Sequence, residues 1–326
     1  MFGGDGTPEV SVVVASHDRP ARLAALLEAL RAQAIGRDAF EVVVVDDGSA
    51  PGTAAVLDAE RNRGELDLVV LRHERARGPA AARNAGWRRA RASLIAFTDD
   101  DCRPPPNWLG GALAAAARNP GAIVQGATLP DPDERVNLRA PFVETQHLVP
   151  PTIWAETCNI LYPREVLQRV DGLDETLLLA FEDTDLALRA QERGVPFVGA
   201  REVVTYHAVH TSSLARKLRG VGRWRDGPAT VKRHPGLRES LPLGIFWKPT
   251  HAWLPLAVLG LALESRRHRG AVLLGLPWAV HHLATYGRSP RGRLRSVAEL
   301  PAQGAIDLGE MIVLLRASIR HRTVLL

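Results

Sequence analysis

Residues 10–14 (Val-Ser-Val-Val-Val), 41–46 (Glu-Val-Val-Val-Val-Asp) and 93–98 (Ser-Leu-Ile-Ala-Phe-Thr) are apolar at consecutive positions rather than at alternate ones. A strand with one face in water alternates, whereas a strand covered on both faces does not. Between these runs the period changes. Leu23, Leu26, Leu27 and Leu30 recur at helical spacing after the loop at 16–20, and residues 79–92 form an Ala/Arg-rich helical stretch. Strands alternating with helices in this way predict parallel strands joined by crossover helices, a doubly wound α/β sheet. The pattern continues with a weaker strand at 68–71, an Ala-rich helix ending near Asn119, and strands at 122–127 and 157–162. A short helix at 163–170, a helix at 182–193 stopped by Gly194, and strands at 195–199 and 203–207 complete it. Residues 129–152, rich in Pro and acids and without a clear period, are expected to form a loop or flap near the site, with an inert surface insertion as the equal alternative.

The strand at 93–98 runs straight into Asp99, Asp100 and Asp101. Open α/β sheets bind ligands at the C-terminal ends of their strands. Three adjacent carboxylates repel one another unless a positive charge sits among them, and oxygen-rich clusters suit Mg2+ or Mn2+. The triplet therefore reads as a divalent-cation site, with a solvated acidic turn as the plain structural alternative. The strand at 41–46 ends similarly, in Asp46-Asp47-Gly48-Ser49, which is also a common turn sequence.

At 326 residues and 46% hydrophobic content the chain can bury one large core and carry an appendage. Cys102 and Cys158 show neither a disulfide framework nor paired zinc spacing, which points to a reducing compartment. The start has neither a basic leader nor an apolar stretch of signal-peptide length, so a cytoplasmic location is expected, peripheral at the inner face of the cell membrane if the tail binds there. The formal net charge is +5. It suits an anionic partner, yet acids gather at strand ends and arginines in the last third, and no nucleic-acid partner is expected.

The tail differs from the rest. Two apolar stretches, 247–263 and 271–286, flank Glu264-Ser-Arg-Arg-His-Arg269. Each is shorter than the roughly 20 residues of a spanning helix and carries Pro or His. A helical hairpin packed on the catalytic domain, or a half-inserted membrane contact with Arg288, Arg291, Arg293 and Arg295 at anionic headgroups, fits better than two spans. A soluble helical subdomain with its arginines in water is the alternative. The division expected is residues 1–240 for the catalytic domain and 241–326 for a mostly helical extension.

Taken in order, Val10 to Arg19 (VSVVVASHDR), Val43 to Ser49 (VVVDDGS), Gly78 to Asn84 (GPAAARN), Asp99-Asp-Asp101 and Phe181 to Leu186 (FEDTDL) resemble the family 2 glycosyltransferases, which have the Rossmann-like GT-A fold. The resemblance covers about residues 8–210. It implies a nucleotide-diphospho-sugar donor, an acceptor hydroxyl on a glycan, a lipid-linked molecule or a small molecule, and Mn2+ or Mg2+ as cofactor. By position in the family's motifs, Ala15, Ser16 and His17 would line the base or ribose pocket. The family more often has Pro-Thr-Tyr-Asn there. Asp46 or Asp47 would accept hydrogen bonds from the base or ribose, and Arg83 and Asn84 would lie near the donor. Asp101 would contact the metal, with Asp99 or Asp100 reaching the ribose or a metal-bound water, and Asp99 is a second candidate ligand. His207, and less so His210, falls where several GT-A enzymes place a third ligand. Asp183, beside Glu182, would be the general base of a single inverting displacement, with Asp185 the structural acid of the pair. Trp154 could stack on the acceptor sugar or equally belong to the core. Processive relatives carry Gln-x-x-Arg-Trp where this chain has Gly220-Val-Gly-Arg-Trp224, which implies transfer of a single residue.

Two other classes compete. A sugar-phosphate nucleotidyltransferase should show a Gly-rich, basic signature near its N-terminus, and residues 10–20 lack one. A non-catalytic nucleotide-sugar-binding module should have lost an acid of the metal motif or the base, and both are present.

Overall fold

The computed structural model describes residues 6–326 except Ala284 and Arg288. The chain divides into two compact units, one made of the residues up to Leu138 with Val143–His210, the other of Arg139–Phe142 with Thr211–Leu326.

The first unit is an eight-stranded mixed sheet in the order β3-β2-β1-β4-β7-β6-β8-β5. Its strands are β1 (Val10–Ser16), β2 (Phe40–Asp46), β3 (Leu68–Arg72), β4 (Leu94–Asp99), β5 (Cys102–Arg103), β6 (Ile123–Pro130), β7 (Asn159–Pro163) and β8 (Phe197–His207). Helices α1 (Pro20–Arg31), α2 (Pro51–Arg63), α3 (Pro79–Arg89), α4 (Trp108–Arg118), α5 (Arg164–Arg169) and α6 (Glu182–Gln191) connect them. Pairing is parallel between β1 and β2, β1 and β4, β2 and β3, and β6 and β8. It is antiparallel where β7 joins β4 and β6, and where β5 joins β8.

The continuous apolar runs have the reason their pattern implied. Val12 and Val14 face a core with Leu23, Leu26, Leu27 and Leu30 of α1, whereas Val13 faces the opposite core with Trp87, Ile95 and Phe97. Each of the four leucines is at most 1% exposed. Burying a leucine contributes about 1.5–3 kcal/mol, so α1 is fixed to the sheet chiefly by this stripe. On the other face α3 approaches closely at Gly86, where a Cβ would lie 2.5 Å from Val13 Cγ1.

Two local expectations change. The strands expected at 195–199 and 203–207 are one strand, β8, whose register with β6 shifts after Gly126 so that Arg201 and Glu202 bulge into solvent. The stretch from 129 begins as the end of β6 and continues as a 3-10 segment, Pro132–Arg139. Isolated bridges, Thr128 with Leu148 and Glu144 with His210, tie the remainder to the sheet.

The second unit is helical: α7 (Leu214–Gly220), α8 (Gly227–Arg233), α9 (Pro249–Ser265), α10 (Leu276–Leu283) and α11 (Pro290–His321). A buried polar knot joins the last three of these. His251 Nε2 lies 3.1 Å from Glu310, which also binds Lys248 and Trp224 Nε1, while His282 and Trp278 donate to Asp307 at 3.1 and 2.9 Å. His251, Asp307 and Glu310 are close enough to share a cation. Lys248 and the two indole N–H groups, however, already satisfy these carboxylates.

Candidate active site

Parallel register aligns the strand ends. Ser16 at the end of β1 is opposite Asp46 of β2, and Ala15 is opposite Asp99 of β4. After Asp101 the chain enters β5, whose Cys102 pairs with His207 at the end of β8, and the Ala208 amide donates to the Asp101 carbonyl at 2.9 Å. Backbone pairing thus carries His207 across more than a hundred residues of sequence to the aspartates. Asp99, Asp101 and His207 offer ligand atoms within 4.8 Å of one another.

These residues fit a divalent cation. The Oδ1 atom of Asp101 is buried and accepts no hydrogen bond, with His207 Nε2 3.4 Å from it. The other ring nitrogen of His207 lies 2.8 Å from the Ala208 carbonyl, to which it can only donate. With Nδ1 donating in this way, Nε2 is the ring nitrogen that faces the carboxylate and the one through which the imidazole could ligate a metal. Two carboxylates with one imidazole suit Mn2+ or Mg2+ better than a thiophilic ion.

Charge in the cluster is unevenly distributed. Burial alone would raise Asp101, but the hydrogen bond from His210 Nε2 at 2.8 Å, with His207 and Arg19 nearby, holds it well below the usual carboxylate range. Burial pushes Asp100 up to about 6 against the opposing pull of Arg19. Arg19 Nη1 lies 2.7 Å from Asp101 and 3.2 Å from Asp100, and Ser16 Oγ donates to Asp100 at 2.8 Å. Arg19 therefore acts as a counter-cation within the cluster, a role that sequence reasoning gave it no part in. The available signal was its position in the loop between β1 and α1.

Arg83 links the cluster to the start of α6. It is 7% exposed, donates to Asp99 at 2.7 Å and to Glu182 at 3.0 Å, and those carboxylates hold its guanidinium firmly charged despite burial. Next to Glu182, burial and the Glu182 charge raise Asp183 well above the ordinary carboxylate value, with the Thr184 amide and Arg83 opposing. Helix α6 opens at Phe181 with φ of 74°, a left-handed conformation that is uncommon for a bulky residue and collects at functional sites. Asp185 is fully buried and accepts from Arg189, which in turn holds the Val170 and Gly172 carbonyls.

The remaining sequence-predicted residues divide. Both oxygens of Asp47 are occupied by the Arg77 and Gly78 amides and by His73, so this carboxylate pins the loop before α3. Asp46 accepts from the Ser49 amide with Oδ1, while its Oδ2 is buried without a hydrogen bond, 3.6 Å from Arg72. Gly48 makes the turn that follows them at φ of 71°, where a Cβ would meet the Ala76 amide at 2.5 Å. His17 is half exposed and donates to the Asp47 carbonyl; Ala15 is half-buried beside it. Asn84 is not brought to the cluster. Its amide bonds Leu173 and Glu175, and its oxygen accepts from Trp87 and the Leu173 amide, so it organises the turn before α6. Trp154 is half-buried, and its carbonyl accepts from Thr184 Oγ1 at 2.8 Å, one residue from Asp183.

The mainly parallel sheet, with Asp99, Asp101 and His207 gathered at its strand ends, has the GT-A fold seen in solved structures. Among solved structures, a mannosyltransferase of Pyrobaculum calidifontis in complex with GDP-Man and Mn2+ superposes with a TM-score of 0.60 at 21% identity, over 97% of this chain and 87% of that one. Residues 1–349 of TarS from S. aureus, in complex with UDP-GlcNAc, do so with a TM-score of 0.54 at 18% identity, over 97% and 92%. Likeness at such identities bears on the fold. In sequence, validoxylamine A glucosyltransferase of Streptomyces hygroscopicus subsp. jinggangensis is 27% identical over 282 residues, 75% of this chain and 64% of that one. Glycosyltransferase AglE of Haloferax volcanii is 25% identical over 255 residues, 75% and 83%. The chain thus spans somewhat less than two thirds of the first of these relatives. Residues 11–169 match the model of glycosyl transferase family 2.

Proposed function

We propose that this chain transfers one sugar from a nucleotide-diphospho-sugar to an acceptor hydroxyl with inversion at the anomeric carbon. The observation that carries the reading is the convergence of Asp99, Asp101 and His207 at the strand ends, with one buried arginine joining Asp99 to the acid pair that opens α6.

In this reading Asp99, Asp101 and His207 would hold Mn2+ or Mg2+, which when bound would supply positive charge for the diphosphate of the donor. Asp46, with a buried oxygen that accepts no hydrogen bond, is favoured over Asp47 for the base or ribose, and Ala15, Ser16 and His17 line that pocket. Asp183 accepts the proton of the acceptor hydroxyl. That oxygen bonds the anomeric carbon as the carbon–oxygen bond to phosphate breaks, and the nucleoside diphosphate leaves. A base raised by burial and by Glu182 is better matched to this task near neutral pH than an ordinary aspartate. Arg83 holds Asp99 and Glu182 in fixed relation, and Trp154 offers an aromatic face for the acceptor. Residues 1–240 serve as the catalytic domain and 241–326 as the extension, although 211–240 pack with the extension. The acceptor is a glycan, a lipid-linked molecule or a small molecule. A cytoplasmic setting at an anionic membrane surface, reached through the extension, completes the reading.

The test is a panel of nucleotide sugars incubated with Mn2+, Mg2+ or EDTA, scoring nucleoside diphosphate release and donor binding in wild type, Asp101→Ala and Asp183→Asn. Metal-dependent release from one donor, lost in Asp101→Ala, supports the reading. Pyrophosphate-dependent formation or breakdown of a donor would replace it with nucleotidyl transfer. Absence of donor binding would replace it with a non-catalytic role.

A further inference from the structure

Residues 249–263, nearly all of α9, contain no Asp, Glu, Lys or Arg. A surface helix normally buries one apolar stripe and turns charges to water. Helix α9 does bury a stripe, at His251, Leu254, Ala257 and Gly260. Its other faces carry Trp253 at 42%, Leu259 at 47% and Leu261 at 61% exposure. The segment that folds back on it repeats the pattern, with Leu273 at 66%, Leu276 at 54% and Val280 at 54% exposed. The hairpin is tightly closed. A Cβ on Gly260 would lie 2.5 Å from the Ala271 carbonyl, and one on Gly275 would lie 3.3 Å from Ala257 Cβ. With the His251 and His282 knots anchoring its inner side, it cannot rotate this surface inward without breaking buried hydrogen bonds.

What covers it is indicated by charge. Residues 265–298 contain seven arginines and no acid. Arg266, Arg267 and Arg269 are exposed at the hairpin turn, and Arg291 and Arg293 are exposed at the start of α11. Arg295 pairs with Glu299 and stacks on Tyr286, and Arg288 lies outside the described residues. A second copy would bring this positive set against itself. A nucleic acid would leave the leucines in water. A bilayer with anionic headgroups satisfies both features at once, the apolar side chains at the acyl boundary and the arginines among phosphates. Crossing is excluded for the described helices, since none is long and apolar enough to cross a membrane.

We infer that the α9–α10 hairpin lies in the plane of an anionic lipid surface as a membrane-seating device, with Arg266, Arg267 and Arg269 at the headgroups. This deepens the membrane clause of the proposed function but rests on the extension alone, not on the transferase chemistry.

Flotation of the full chain with vesicles of phosphatidylcholine alone, or with about 30% phosphatidylglycerol, tests it at low and high salt. Each arginine near the surface contributes roughly a fivefold factor, so replacing Arg266, Arg267 and Arg269 together by Ser should weaken anionic binding on the order of a hundredfold. Leu259→Asp with Leu273→Asp should abolish flotation. Both substitutions are at exposed positions, so the circular dichroism spectrum and donor turnover should not change. Asp101→Ala should float like wild type, which separates this inference from the catalytic one. Binding that ignores lipid charge, or wild type that stays in the aqueous fraction, would overturn it. So would a concentration-dependent dimer dissolved by Leu259→Asp, which would give the surface to a second copy.

Discussion

Replacing Arg83 by Met tests whether the cation motif and the acid pair of α6 are one electrostatic unit. Arg83 and Glu182 are 7% and 6% exposed, whereas the Asp99 side chain is 26% exposed. Removing one partner of a buried ion pair costs about 3–5 kcal/mol, because the survivor keeps its desolvation penalty. Solvent around Asp99 screens that half, so the lower end, about 3 kcal/mol at pH 7, is expected. Since the chain has two compact units, a single unfolding transition would mix them. Native-state hydrogen exchange at the amides of α3 and β4 reads the affected region directly. Adding Glu182→Met removes the orphaned charge and should recover about half of the loss, which a double-mutant cycle would show as coupling of roughly 1.5 kcal/mol or more. Protection within about 0.5 kcal/mol of wild type in Arg83→Met, or no recovery in the double variant, would refute the reasoning.

Two further expectations follow from the same geometry. Arg19 competes with a cation for Asp100 and Asp101, so Arg19→Met should tighten Mn2+ binding in the absence of donor by about tenfold, roughly 1.4 kcal/mol, as read by electron paramagnetic resonance of free Mn2+. Unchanged or weaker binding would show that Arg19 is not a counter-cation at this site. For the proposed base, protonation removes function, and a raised Asp183 keeps its proton to higher pH. The acid limb of kcat against pH should therefore lie above the ordinary aspartate value of about 3.9, and should move higher still in Arg83→Met, because Arg83 opposes the shift. A limb at or below about 4 in wild type would contradict Asp183 as a base raised by its surroundings.

Much of the frame is legible in linear sequence because it is written in local periodicity. Residues 12–14 and 42–45 are apolar at every position for the reason their cores display, since Val13 and Val12 face opposite layers. The order of motifs likewise signalled the family that residues 11–169 match. Elements with weak local signals were harder to read. Helix α2 buries only Thr53, Leu57 and Glu60, and β5 is two residues long, formed only because β8 is there to pair with it. The bulge in β8 could not be read either, since two short apolar runs separated by Arg201 and Glu202 look the same whether the strand stops or swells.

The sequence by itself determined which residue types stand at the strand ends and therefore that carboxylates gather where such a sheet opens, because period and order are local properties. Tertiary structure alone decided what each carboxylate is free to do. Asp46 and Asp47 are adjacent and chemically identical, yet Asp47 is filled by three donors from a loop 26–31 residues away while Asp46 keeps a buried oxygen without a hydrogen bond. Asn84 is turned to the Leu173 loop, Arg19 is brought to Asp100 and Asp101 from 81–82 residues away, and His207 is set beside Asp101 by strand pairing. Hydrogen-bond donors and counter-charges arrive from distant segments, so the availability of a polar atom belongs to the fold and not to the residue.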